Sequence, residues 1–206
     1  MDTLYKLLGG APRVKLLRLF MFNPEQVYER AEAAKRMKLT SAVVAREITA
    51  LTRLGIVKKK SYIKEIEQGR GRNVVIKKKR MQGYALNDQF EWYEALRDFL
   101  LATTPVNKEE LLRQLKPLAK LRLVIISGFF LYQWDRRLDL LIVSDKPSEK
   151  ALANIINDLE IEMGRELRYA YLSTEDFRYR YSIQDRLIRD VVDYDHDVIL
   201  DKMGMN

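Results

Sequence analysis

Apolar residues recur with a helical period through the first part of the chain. In PRVKLLRLFMF, Val14, Leu17 and Met21 fall on one face, and Pro12 suits a first helical turn, where its missing N–H is not needed. Asn23-Pro24 ends the run. YERAEAAKRMK predicts a short, alanine-rich second helix. Thr40 is placed to cap a third, SAVVAREITALTRL, in which Val44, Ile48 and Leu51 recur at i, i+4 and i+7. Gly55 closes it by taking left-handed backbone.

The period then changes. IVKKKSYIKEIE and NVVIKKKRMQGYAL are β-type runs flanking QGRGR, which predicts a hairpin with a basic tip. QFEWYEALRDFLLATTP predicts a connecting helix, with Phe90, Tyr93, Leu96 and Leu100 near one face and Pro105 closing it. The second half alternates helix, strand, strand, helix, strand, helices and strand, the strands being LRLVIIS, LDLLIVS, ELRYAYLS and HDVIL. Such alternation argues an α/β fold with a mixed sheet, here behind an α+β first part. The expected organisation is two domains, 1–88 and 106–206, joined by the helix of 89–105. Neither an internal repeat nor a low-complexity linker interrupts it.

Composition narrows the function. The 206 residues are 47% hydrophobic, enough for a substantial core, and contain no cysteine. Disulfides, cysteine-ligated zinc and thiol catalysis are thereby excluded. Apolar runs such as LVIISGFFLY fall far short of the about 20 residues a membrane helix needs, so no membrane is expected. Lys6, Arg13, Lys15 and Arg18 break up what would be a signal peptide's apolar core, and a cytoplasmic location is expected.

The net charge is +8, and it is focused. Between Ile56 and Asn87 lie ten basic residues: Lys58, Lys59, Lys60, Lys64, Arg70, Arg72, Lys77, Lys78, Lys79 and Arg80. Only Glu65 and Glu67 oppose them, and the rest of the chain is near neutral. A focused basic segment is the electrostatic footprint of a polyanion partner, usually nucleic acid.

The order helix, helix, turn, helix, basic hairpin is that of a winged helix. LTSAVVAREITALTRLGIVKK resembles the recognition-helix segment of ArsR/MarR-like winged-helix regulators, through the Thr40 cap, the triplet Val44, Ile48 and Leu51, and the closing Gly55-Ile56-Val57. The resemblance covers about positions 3 to 87. It implies that Thr40, Ser41, Ala42, Val43, Ala45 and Arg46 face the major groove of duplex DNA. Arg46 is the strong base reader among them, able to grip guanine with two parallel hydrogen bonds. Ser41 suits a phosphate at the helix N-terminus. The competing reading of Arg46 is a solvated side chain paired with a nearby carboxylate. At the hairpin tip, Arg70 and Arg72 alternate with glycine, which suits a narrow minor groove. Lys58, Lys59, Lys60, Lys77, Lys78, Lys79 and Arg80 would supply nonspecific, salt-sensitive affinity. A bland hairpin would carry the same residues as solvated charges, but like charges on neighbouring strands repel.

A second resemblance covers about positions 107 to 202. LVIISGFFLYQWDRRLDLLIV is similar to the first two strands of minimal nucleotidyltransferases related to DNA polymerase beta, and MGRELRYAYLSTEDFRYRYSIQDRLIRDVVDYDHDVIL is similar to that family's ending. In the family one strand ends Gly-Ser, the next begins Asp-x-Asp, and a later strand gives a third carboxylate. Backbone and serine hold a triphosphate while the carboxylates hold two magnesium ions.

The resemblance maps a degenerate nucleotide site onto Ser127, Gly128, Arg137, Asp139 and Arg168. Phe129 replaces the serine after Gly128, and Ser127 precedes the glycine instead. Asp139 fits the second carboxylate, Arg137 stands at the first, and Arg168 stands at the third. A guanidinium in place of a carboxylate reverses the local charge, so two-metal catalysis is not expected. Asp135 is no substitute, lying in a loop four residues from Asp139. Two readings of Arg137 and Arg168 stay open. They are ion-paired near Asp135, Asp139 or Glu166, or they form a metal-free anion pocket for a nucleotide phosphate. Phe129, Tyr132 and Trp134 read as core or interface residues, with adenine stacking the weaker alternative. DYDHD, containing the sole histidine, His196, reads as a solvated turn and not as a metal site. No P-loop spacing or Ser/His/Asp arrangement is evident.

The expected function is therefore a DNA-binding transcriptional regulator that is not an enzyme and needs no cofactor or metal. Its partners are double-stranded DNA and a second copy of itself. The degenerate nucleotidyltransferase-like half serves dimerisation, a nucleotide or a protein partner. The alternatives are an active nucleotidyltransferase and an antitoxin-like module that interacts with RNA or protein.

Overall fold

The computed structural model describes residues 2–68, 75–103 and 108–205. The chain divides into two compact units, Met1–Thr103 with Ile161–Arg165, and Thr104–Glu160 with Glu166–Asn206. The connecting helix thus belongs with the first unit. Arg70, Arg72 and Pro105 lie outside the described residues.

The first unit holds helices α1 (Asp2–Leu7), α2 (Ala11–Met21), α3 (Arg30–Arg36) and α4 (Ser41–Arg53), strands β1 (Val57–Gln68) and β2 (Val75–Leu86), and helix α5 (Tyr93–Ala102). The short α1 has no counterpart in the expected elements. Helices α2 and α3 pack on α4, whose Val44, Ile48 and Leu51 are fully buried. Thr40 Oγ1 accepts from Val43 N at 3.4 Å, and Gly55 follows the helix with φ of 74°. Both ends of α4 are therefore set by the residues that the pattern singled out. Helix α2 differs from expectation: Leu16, Arg18, Leu19 and Phe20 are buried as well as Val14, Leu17 and Met21. It is a central helix and not an amphipathic one. Arg18 is tolerated there because Nη1 donates to Glu162 O at 3.0 Å and Nη2 to Thr103 O at 2.9 Å. Burial pulls its guanidinium below the ordinary value, while Tyr5 and Glu162 oppose that shift.

Strands β1 and β2 form one uninterrupted antiparallel ribbon, from Val57 opposite Leu86 to Gln68 opposite Val75. Its base is anchored: Val57, Ala85 and Leu86 are buried, and Tyr28 bridges to Tyr84. Gly83 permits that approach, since a Cβ would come within 2.9 Å of Tyr28 O.

The second unit contains α6 (Lys108–Leu115), β3 (Leu121–Ile126), β4 (Leu140–Ser144), most of α7 (Glu149–Met163), β5 (Tyr169–Ser173), α8 (Thr174–Ser182), α9 (Arg186–Val192) and β6 (Asp197–Asp201). The sheet order is β5-β4-β3-β6, with β4 parallel to β5 and the other pairs antiparallel. The α/β class with a mixed sheet holds. Leu123, Ile125, Leu141 and Val143 pack with Phe177, Ile188 and Val191 of α8 and α9. The alternate positions, Val124, Ile126, Leu140 and Ile142, are buried too. Both faces of the central strands are covered, which is why these runs are continuously apolar.

Candidate nucleic-acid interface and the site around Asp139

On α4, the face opposite Val44, Ile48 and Leu51 carries Ala42, Arg46, Thr49 and Arg53. Ala42, Arg46, Thr49 and Arg53 are exposed, as is Ser41 at the helix start. Val43 and Ala45 are half-buried, because they sit at the flanks of that stripe. Thr49 and Arg53 were missed in the sequence reading, although the spacing i, i+3, i+7 from Arg46 places them in line. Arg46 is 73% exposed and pairs with Glu47 Oε1 at 3.1 Å. Glu47 is buried and also receives Arg13 Nε on Oε2 at 2.8 Å. The Arg46 guanidinium is thus both accessible and tethered at its base to a carboxylate.

Along the ribbon the register sorts the charges. Alternation puts Lys58, Lys60, Tyr62 and Lys64 on one face, with Met81, Lys79 and Lys77 facing them from β2. Lys64 stands directly opposite Lys79. The other face carries Lys59, Ile63, Glu65, Lys78 and Arg80, with Ile76 nearer the tip. Ile63 and Ile76 are 68% and 62% exposed there.

Several cations are already engaged. Lys58 pairs with Asp88, Lys64 with Glu29 at 2.6 Å, and Lys78 with Glu65 at 3.7 Å. The Tyr62 hydroxyl donates to the same Glu29 Oε1 at 2.6 Å. Hydrogen bonds from Lys64 and then Tyr62 hold the Glu29 carboxyl below its ordinary range, and Glu29 in turn holds the Lys64 ammonium above its own. Among the described residues, Lys59, Lys60, Lys77, Lys79 and Arg80 have no carboxylate partner. Arg30 lies over the Tyr84 ring at 5.2 Å, adding a cation near the ribbon base that charge counting over 56–87 had left out.

In the second unit, Ser127, Gly128, Asp139 and Arg168 come together, and Arg137 does not join them. Asp139 is fully buried immediately before β4. Its Oδ1 accepts from Phe129 N at 2.8 Å and Arg168 Nη2 at 2.8 Å. Its Oδ2 accepts from Arg168 N at 2.9 Å and Arg168 Nε at 3.1 Å. The Asp139 amide returns a bond to Arg168 O at 2.6 Å. Ser127 Oγ donates to Leu138 O at 2.8 Å, so that hydroxyl is spoken for.

Gly128 has φ of 54°, and a Cβ there would overlap Asp139 Oδ1 and lie 2.6 Å from Leu138 O. The glycine is required by the approach of the carboxylate. Residues Gly128–Leu131 form a single 3-10 turn that buries Phe129 and Phe130. Phe129 meets Trp134 edge-on at 5.4 Å between centroids, which is core packing. Tyr132, expected in the core or an interface, is 58% exposed, with left-handed backbone at φ of 63°.

Arg137 pairs with Asp190 of α9 at 2.8 Å. Asp190 was not among the expected partners, Asp135, Asp139 and Glu166. The alignment is ionic and not a hydrogen bond, leaving buried Asp190 Oδ2 without a hydrogen-bond donor. In the DYDHD stretch, His196 Nδ1 lies 2.7 Å from Tyr194 O, and Asp195 accepts from Gln133 Nε2 at 2.9 Å. Among the described residues, no three of His, Cys, Asp and Glu gather in a metal-binding group. No helix is long and apolar enough to cross a membrane among the described residues.

Comparisons with protein-family models, with curated proteins and with solved structures find no match for this chain.

Proposed function

We propose that the protein is a transcriptional regulator that binds double-stranded DNA through α4 and the β1–β2 ribbon, in the manner of a winged helix. One observation carries this reading: an anchored ribbon, exposed and basic over 63–65 and 76–80, follows directly on a capped helix with an exposed Ala42, Arg46, Thr49 and Arg53 stripe. Lysines without carboxylate partners on neighbouring strands repel one another, and a phosphate backbone relieves that repulsion. Fluorescence anisotropy with a duplex pool and a structured RNA, titrated with salt, tests the proposal. Binding of the duplex with a steep salt dependence and preference over the RNA is the expected result. Equal or tighter binding of the RNA would move the protein to an RNA-interacting module.

The second unit is, in this proposal, a nucleotidyltransferase-like fold that performs no transfer. Both oxygens of Asp139 accept bonds from Arg168 and from backbone amides, which leaves that carboxylate no lone pair aimed at a divalent ion. The protein acts as a homodimer in a cytoplasmic setting. Trp92, 62% exposed at the N-cap of α5, and Phe99, 40% exposed on that helix, support a contact with a second copy.

A further inference from the structure

The two faces of the β1–β2 ribbon differ in a way that selects its ligand and its orientation. We infer that the face bearing Lys58, Lys60, Lys64, Lys77 and Lys79 tracks the phosphate backbone of a nucleic-acid duplex, and that Glu29 is an internal competitor for that track. The inference rests on the nucleic-acid reading above and goes further, naming the face, the duplex and the competing carboxylate.

The uninterrupted register fixes the sorting, because residues directly opposite share a face. One face has five lysines and no acidic residue of its own. The other has Lys59, Lys78 and Arg80 with Glu65 among them, and its Lys78 already pairs with Glu65. The ribbon's basic charge is therefore concentrated on one side, where Lys64 stands directly opposite Lys79. Among the described residues, no carboxylate of the ribbon pairs with a lysine of that side. The carboxylates that reach its lysines come from outside: Asp88 takes Lys58 and Glu29 takes Lys64.

The chemistry of the lysine face also selects among polyanions. Single strands are held by aromatic platforms on which bases stack. The one aromatic residue on this face is Tyr62, half-buried, with its hydroxyl committed to Glu29. Ammonium groups without aromatic rings suit phosphates presented on the outside of a duplex. The opposite face, with exposed Ile63 and Ile76 among mixed charges, is the side turned away from the polyanion.

Glu29 sits where it sets the strength of this contact. Lys64 and Tyr62 both donate to Glu29 Oε1 at 2.6 Å. A phosphate must compete with that carboxylate for the Lys64 ammonium, so the free protein keeps part of its track neutralised.

The test compares equal changes of charge on the two faces, using duplex DNA of about 20 base pairs by anisotropy over a range of salt. Lys60→Gln with Lys79→Gln should weaken binding and lower the slope of log affinity against log salt by about two. Lys59→Gln with Lys78→Gln, on the opposite face, should leave that slope nearly unchanged. Glu29→Gln should tighten binding and raise the slope by about one. Circular dichroism checks that each variant is folded. Equal losses from both pairs, or the larger loss from Lys59 and Lys78, would overturn the face assignment while leaving DNA binding intact. Tighter binding to a single strand of the same length would overturn the duplex. An unchanged Glu29→Gln variant would remove the competitor. If the unsubstituted protein binds no nucleic acid at any salt, the proposed function itself fails, and that outcome is distinct from the others.

Discussion

Arg168 holds Asp139 three times over: with Nε, with Nη2 and with its own backbone amide, around a carboxylate that has no exposed surface. Where the resemblance implies a metal-binding carboxylate, the chain has built an ion pair that fastens the start of β4 to the residue before β5. Removing one partner leaves the other uncompensated. Arg168→Ala should lower the unfolding free energy by about 3 kcal/mol, toward the low end for breaking buried pairs, because two backbone donors to Asp139 remain and Arg168 is 34% exposed. Adding Asp139→Asn should cost less than the sum of the two single changes, which urea denaturation of a double-mutant cycle measures. By the same logic, calorimetry with a nucleoside triphosphate should show no heat that depends on magnesium. Metal-dependent binding lost in Asp139→Asn would instead restore the enzyme.

Gly128 is tied to that pair. Its φ of 54° and the approach of Asp139 Oδ1 and Leu138 O leave no room for a Cβ. Gly128→Ala should destabilise the second unit by about 2–3 kcal/mol, from left-handed strain together with displacement of Asp139. In the Asp139→Ala background the same substitution should cost less, because one of the two obstructing oxygens has gone. Thermal melts of the three variants decide this.

These two positions show what a sequence can and cannot reveal. The strands and helices were legible because burial is written locally, in the spacing of Val44, Ile48 and Leu51 or in the unbroken LLIVS of β4. Ser127, Gly128, Asp139 and Arg168 could be singled out together in the sequence, although the bonds among them could not. Partners far apart in the chain left no local mark. Arg137 finds Asp190 and Lys64 finds Glu29, pairs that only the folded register of distant elements brings within reach. The short α1 and the all-round burial of α2 were also hidden, since a helix of few residues has little periodicity and Arg18 disguises a core position as a surface one.

Acid should weaken the second unit through Asp145. Hydrogen bonds from Arg122 and then from the Thr174 hydroxyl lower its carboxyl to about 2. In the unfolded chain it returns to about 3.9. The folded state thus prefers the ionised group, and the stabilisation is fully present above pH about 4 and lost as pH falls toward 2. Asp145→Asn should flatten that part of the stability profile, in denaturation followed from pH 5 to pH 2. A profile identical to that of the unsubstituted protein would show that the Arg122 contact does not persist in solution.

A homodimer is expected from α5. Trp92 and Phe99 expose large rings that a monomer gains nothing by leaving in water. Replacing both by alanine should convert a dimer into a monomer of unchanged helix content, read by light scattering and circular dichroism. A concentration-independent monomer before any substitution would remove the dimer from the proposal.

Arg46 and the ribbon lysines should fail in different ways. Arg46 is 73% exposed on the α4 stripe, and its neighbour Glu47 holds Nε and Nη2 at 3.1 Å. That tether orients the guanidinium but competes with a base for the same donors. Arg46→Ala should reduce discrimination at one or two base pairs by about 1–3 kcal/mol and leave nonspecific binding nearly intact. Neutralising Lys77, Lys78, Lys79 and Arg80 together should weaken all sequences alike and flatten the salt dependence. Selection from a random duplex pool, repeated with each variant, separates the two. An even loss across the pool from Arg46→Ala would make it a phosphate contact. A loss of sequence preference from the lysine variant would mean that the ribbon reads bases as well as backbone.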